Sequence, residues 1–190
     1  MKKKIKKEVI EWIVLLSVFG IIYIGGWHTE VIGRLQQVVL STGIISPSSS
    51  DEEITASYDF TLEDVEGNLV DFDSFKGKVV FLNFWATWCP PCIAEMPDIH
   101  SLYEERDDVN FVMISLDRDP QKAKDFVLKK EFDFPIYFLK SSIPGEYSIQ
   151  SIPTTYLIDK QGKIHIENHG MAKYNTSRIN DLLDQLSMAE

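Results

Sequence analysis

The hydrophobic positions of this 190-residue chain change period several times. From Trp12 to Trp27 they form WIVLLSVFGIIYIGGW, sixteen residues without a charge, preceded by five lysines in the first seven positions. Val9 and Ile10 extend the run towards the ~20 residues of a spanning helix. Trp12, Tyr23 and Trp27 stand where an interfacial aromatic belt would lie. Between Val31 and Ile45 the apolar residues Val31, Ile32, Leu35, Val38 and Val39 recur at helical spacing, which suits either an interfacial helix or an ordinary helical spacer. Ser46 to Glu53, SPSSSDEE, has little capacity to form a core and reads as a linker. The pattern thus divides the chain into a Lys-rich tail and transmembrane anchor over 1–27, a possible interfacial helix and polar linker over 28–57, and one globular domain over 58–190.

Within the domain the period predicts alternating elements. Tyr58 to Phe72 carries two short strands around the turn Glu66-Gly67-Asn68. Lys78 to Phe84, KVVFLNF, is a nearly continuous apolar and β-branched run, as expected of a strand buried on both faces. Ile93 to Arg106 has helical spacing, with Pro97 inside it as an expected kink. Val109 to Leu116 predicts another buried strand, and Pro120 to Lys130 a helix with proline in its first turn. Thr154 to Asp159 and Lys163 to Glu167 predict a hairpin, and Ser177 to Met188 a closing helix. This order implies an α/β domain, a mixed sheet with helices on both faces.

Charge changes the picture at the N-terminus. Residues 1–46 hold six Lys/Arg against three Glu, net +3, whereas the remainder holds 13 against 26 Asp/Glu, net −13. Such an acidic domain repels phosphate backbones, so nucleic acid is not an expected partner. The lysines before the apolar run place the N-terminus in the cytoplasm by the positive-inside rule. A cleaved signal peptide competes with a retained anchor. No small-residue cleavage pattern follows the run and no cysteine is available for lipidation, which favours the anchor and an exported domain.

The chain has two cysteines, both in FWATWCPPC, residues 84–92. A bridge across so short a loop removes little chain entropy, so it does little to hold a fold together. Zinc calls for four ligands, and His28, His100, His165 and His169 are scattered. Redox chemistry is the favoured reading, with half a zinc site and a chance pair as the alternatives. The predicted strand before the pair and helix after it put Cys89 at a helix N-terminus, where unpaired N–H groups favour a thiolate. Pro90 and Pro91 limit the donors that can reach it. Cys89 is accordingly the expected nucleophile and Cys92 the resolving thiol. The couple needs no cofactor beyond its own disulfide.

VVFLNFWATWCPPC, the helix proline Pro97, and Ser151-Ile152-Pro153-Thr154 together resemble the thioredoxin-like superfamily, specifically membrane-anchored thiol-disulfide oxidoreductases of the TlpA and cytochrome c maturation type. The resemblance covers roughly residues 58–186. It implies a thioredoxin-like fold, a cis Pro153 facing the disulfide, and a substrate surface drawn from Trp88, Pro90, Pro91, Ile152 and Pro153, with Trp85 more internal. Asn83 stands where thioredoxin has a buried aspartate and cannot carry a proton. Glu95 matches the acidic residue that the tethered reductases place beneath the site, and is expected to assist deprotonation of Cys92. The alternative is an exposed first-turn glutamate favoured by the helix dipole. His100 is expected at the surface.

The leading functional expectation is a reductant of exported protein disulfides, possible substrates including apocytochrome c, recharged by a membrane dithiol donor at the bacterial inner membrane. An oxidase or isomerase, a thiol peroxidase, and a non-catalytic binding module are the alternatives.

Overall fold

The computed structural model describes residues 10–14, 16–18, 20, 28–41, 47, 54–147 and 149–189. Helix α1 (His28–Ser41) precedes the sheet domain. The domain runs β1 (Thr61–Glu63), β2 (Leu69–Asp71), a 3-10 turn (Phe72–Phe75), β3 (Val79–Trp85), α2 (Pro90–Glu105), β4 (Val109–Ser115), α3 (Pro120–Lys130), β5 (Ile136–Leu139), β6 (Thr154–Ile158), β7 (Ile164–His169) and α4 (Ser177–Met188). Seven strands form one sheet in the order β2-β1-β5-β4-β3-β6-β7. Strands β3, β4 and β5 are mutually parallel and the other pairings are antiparallel, so the sheet is mixed.

β3 is central and buried along its whole length, as its unbroken apolar run requires. Its period-2 alternation serves two cores. Val79, Phe81 and Trp85 face one, with Met96, Ile99 and Leu102 of α2, Ala123 of α3 and Ile179, Leu183 and Leu186 of α4. Val80, Leu82 and Phe84 face the other, with Phe60, Phe72, Phe75, Tyr147 and Tyr156. Asn83 therefore belongs to the face beneath α2.

The element order predicts helices on both faces of the sheet, but α2, α3 and α4 all pack on one. The crossovers β3-α2-β4 and β4-α3-β5 step in the same direction across the sheet, and right-handed connections then put both helices on the same side. The second face is covered by the segment before β1, with Ala56 and Phe60, by the 3-10 turn and by the segment around Tyr147. The β1-β2 hairpin turns where expected. The Asp64 carboxylate accepts hydrogen bonds from the Glu66 and Asn68 N–H groups, and Gly67 takes a φ of 90°.

Two boundaries move by three residues or more. Among the described residues the domain reaches back to Ile54, four residues before the expected Tyr58, because the Ala56 N–H donates to the Gly162 carbonyl and the Ile164 N–H to that of Ile54. α2 starts at Pro90 instead of Ile93, since proline costs nothing in a first turn. It continues through Pro97 to Glu105. β5 has no counterpart among the predicted elements. At the N-terminal end, residues 10–14 and 16–18 are helical, while most of the expected anchor lies outside the described residues, as does most of the linker. Among the described residues no helix is long and apolar enough to cross a membrane.

Candidate redox site

Cys89 caps the N-terminus of α2 and forms a disulfide with Cys92, Cα to Cα 5.3 Å. One helical turn separates the two residues, which brings the sulfurs together without distorting the helix. The Cys92 N–H points at Cys89 Sγ, 3.2 Å away, in the place of a side-chain N-cap oxygen. A thiolate at this atom would meet the same N–H and the positive end of the helix. Both residues are largely shielded in the oxidised state, Cys89 at 4% exposure and Cys92 at 0%.

The Ile152–Pro153 peptide bond is cis. The Ile152 carbonyl oxygen lies 3.6 Å from Cys89 Sγ, a position to which a reduced thiol can donate. Trp88, beside Cys89, is 59% exposed. Trp85 is buried, its ring 5.8 Å from that of Phe126. The structure thus sets the Ile152–Pro153 segment beside the Cys89 sulfur, with Trp88 and Pro90 its neighbours along the chain.

Glu95 lies one turn beyond Cys92 and is 1% exposed, which excludes the exposed first-turn glutamate as its setting. Its Oε1 accepts from Asn83 Nδ2 at 3.0 Å and its Oε2 from the Ala172 N–H at 3.1 Å. Burial pushes its pKa up to about 8, against the lowering effect of those two donors; the nearby Asp98 charge adds to the rise. Asn83 uses its second N–H on Thr155 Oγ1 at 2.8 Å. Tyr174 is fully buried next to this group, its phenol raised well above the usual range by burial and by the Glu95 charge. Asp98 accepts the N–H groups of Tyr174 and Asn175, so two carboxylates of α2 hold the segment between β7 and α4.

A second clamp fixes the loop before Cys89. Asp117, just after β4, accepts the Thr87 N–H at 2.9 Å and the Thr87 hydroxyl at 2.7 Å, and the Ser115 hydroxyl at 3.0 Å. Asp117, Thr155, Tyr174 and Ala172 do not stand out in the sequence, since each acts through a contact distant along the chain. The one local signal is that a polar Asn83 interrupts the otherwise apolar β3. His100 is not a free surface residue: its Nε2 lies 2.7 Å from Asp133 Oδ1 and its ring packs against Phe132.

A C-x-x-C disulfide at the junction of a central strand and a helix, faced by a cis-proline segment, defines a thioredoxin-like protein with thiol-disulfide chemistry. The chain belongs to the redoxin family, whose model matches residues 52–183. It is 31% identical over 160 residues to the thioredoxin-like protein YneN of Bacillus subtilis, covering 81% of this chain and 86% of that protein. It is 42% identical over 108 residues to the thiol-disulfide oxidoreductase ResA of Bacillus cereus, covering 55% of this chain. The matched stretch spans 62% of that ResA, under two thirds of its length. A solved structure from Chlorobium tepidum, assigned as a thiol:disulfide interchange protein DsbE, superposes with a TM-score of 0.63 at 26% identity, over 73% of this chain and 99% of that one.

Proposed function

We propose that the chain is a membrane-tethered thiol-disulfide oxidoreductase that reduces disulfides of exported proteins, apocytochrome c among them. The observation that carries this reading is the Cys89–Cys92 disulfide at the N-terminus of α2, with the Ile152 carbonyl beside the outer sulfur. In the reduced enzyme, the Cys89 thiolate attacks a substrate disulfide and displaces one substrate sulfur as a thiolate, which takes up a proton. Cys92 then attacks Cys89 in the mixed disulfide, releases the second substrate sulfur, and leaves the oxidised pair described above. Two electrons have passed to the substrate. A membrane dithiol returns them and is itself oxidised to a disulfide.

Glu95 receives the Cys92 proton in the resolving step. A pKa of about 8 suits that task, because a base poised near ambient pH both accepts and releases protons readily. Trp88, Pro90, Pro91, Ile152 and Pro153 form the substrate surface, the Ile152 backbone pairing with an extended segment. The uncharged run from Trp12 to Trp27, behind its five lysines, supplies a single-pass anchor in the bacterial inner membrane with the domain outside the cytoplasm. The matches to ResA and to the DsbE structure support the chemistry.

A Cys92→Ser variant tests the reading, since it cannot resolve its mixed disulfides. Exported proteins bearing cysteine pairs should accumulate on Cys89, and capture of none would refute the assignment. Equilibration of the wild-type pair with glutathione fixes the direction: a potential at the oxidising end of the thioredoxin-fold range would make the protein an oxidase instead.

A further inference from the structure

Helix α1 packs against the redox helix by one narrow face. A Cβ added at Gly33 would stand 3.2 Å from the Pro90 carbonyl oxygen and 3.3 Å from Ile93 Cγ2, so the helices meet here at a distance that is tight for any side chain. Leu40, two turns on, is buried. At ~100° per residue, Gly33, Gln37 and Leu40 share an arc of about 60°. Ile32, Leu35, Val38 and Val39 fill a wider arc centred on the opposite side. Leu35 and Val38 are each 66% exposed, and Ile32 and Val39 just under half. A helix on the surface of a soluble domain turns its polar residues outward; α1 turns out an aliphatic stripe.

We infer that this stripe lies on the lipid surface, so that α1 is a spacer that holds the redox end of α2 at a fixed height above the membrane. The inference rests on the tethered reading proposed above and adds an orientation to it. α1 begins at His28, directly after Trp27, the last residue of the uncharged run. A run that spans the bilayer therefore delivers α1 to the headgroup level. Arg34 sits at the border of the stripe, where its side chain can reach lipid phosphates. The rest of the chain is strongly acidic and anionic lipid repels it, so apolar contact has to hold the domain down. Four partly exposed aliphatic side chains fall well short of the ~800 Å² per partner of a stable protein interface, which disfavours a second copy as the occupant. With α1 flat on the lipid, Pro90 sits about one helix diameter, ~10–12 Å, above it. That is the height at which a membrane-bound dithiol can meet Cys89.

The test uses the full chain in phosphatidylethanolamine and phosphatidylglycerol vesicles carrying a lipid with a photoactivatable diazirine in its acyl chain. Illumination should label peptides covering 32–39 as well as 12–27. The combined variant Ile32→Ser, Leu35→Ser, Val38→Ser, Val39→Ser should keep the 12–27 label and lose the other. Its disulfide should be reduced several-fold more slowly by a lipid with a dihydrolipoyl headgroup in the same vesicles, and at an unchanged rate by dithiothreitol. Gly33→Leu, which parts α1 from α2 but favours the helix, should keep both labels and still slow the lipid-borne reductant. Labelling of 12–27 without 32–39, equal rates with the lipid dithiol, or crosslinks joining α1 of two chains would overturn the inference and leave the anchor standing. Absence of both labels would instead sink the tethered reading on which it rests.

Discussion

Replacing Glu95 by glutamine should invert its effect on stability between acid and alkaline pH. In the folded protein the carboxyl titrates near 8, against an ordinary value of 4.5. Below pH 4.5 both folded and unfolded chains hold the proton and the group contributes nothing to the pH dependence. Between 4.5 and 8 the unfolded chain releases a proton that the folded chain keeps, so folding loses about 1.4 kcal/mol per pH unit. The loss is of the order of 5 kcal/mol in all and levels off above pH 8. The Glu95→Gln variant lacks this slope but carries a constant cost. Asn83 Nδ2 and the Ala172 N–H both donate to Glu95, and an amide offers them one oxygen, leaving one donor unpaired at ~1–3 kcal/mol. The variant should therefore be less stable than wild type at pH 5 and more stable by pH 9. Guanidinium unfolding of the oxidised full chain in mild non-ionic detergent, followed by tryptophan fluorescence from pH 5 to 9, measures the difference directly. Parallel stability profiles would show that Glu95 ionises normally and would remove the basis for its role with Cys92.

Other substitutions separate the site's parts. Trp88→Ala should change stability by under ~0.5 kcal/mol, because the side chain is exposed, yet slow insulin reduction several-fold while sparing exchange with glutathione. Asp117→Ala removes the acceptor of two Thr87 bonds and should cost about 2–3 kcal/mol; it should also slow Cys89 alkylation in the reduced protein, whereas Ser115→Ala should leave that rate near wild type. Thr155→Val strands one Asn83 N–H in a buried position, for about 1–3 kcal/mol in thermal or chemical unfolding. The rate of the resolving step in wild type should rise with pH through about 8 as Glu95 ionises, and stopped-flow measurement on Glu95→Gln should show that rise absent.

Local signals carried the elements they could. β3 was legible because its nearly continuous apolar, β-branched run is that of a strand buried on both faces, as it is, and α3 because a proline leads its first turn. β5 escaped because Ile136 to Leu139 is apolar but only four residues long, too short for its period to separate strand from helix; pairing of Ile136 with Met113 of β4 makes it a strand. The side chosen by α3 was hidden because it depends on strand order. At the site, the cysteines and Pro153 announced themselves through a motif. Asp117 and Thr155 did not, because an aspartate after a strand and a threonine within one are ordinary until the fold brings Thr87 and Asn83 to them.

The Ala172 N–H bonded to Glu95 makes the buried carboxyl readable from its backbone partner. Uptake or release of the Glu95 proton changes the charge this amide faces, so its resonance in a nitrogen-15 correlation spectrum should move with the carboxyl's ionisation. A peptide group on the segment between β7 and α4 thus serves as a built-in electrode for the proton beneath the disulfide, and its titration can be followed in the oxidised and reduced protein without a label at either sulfur.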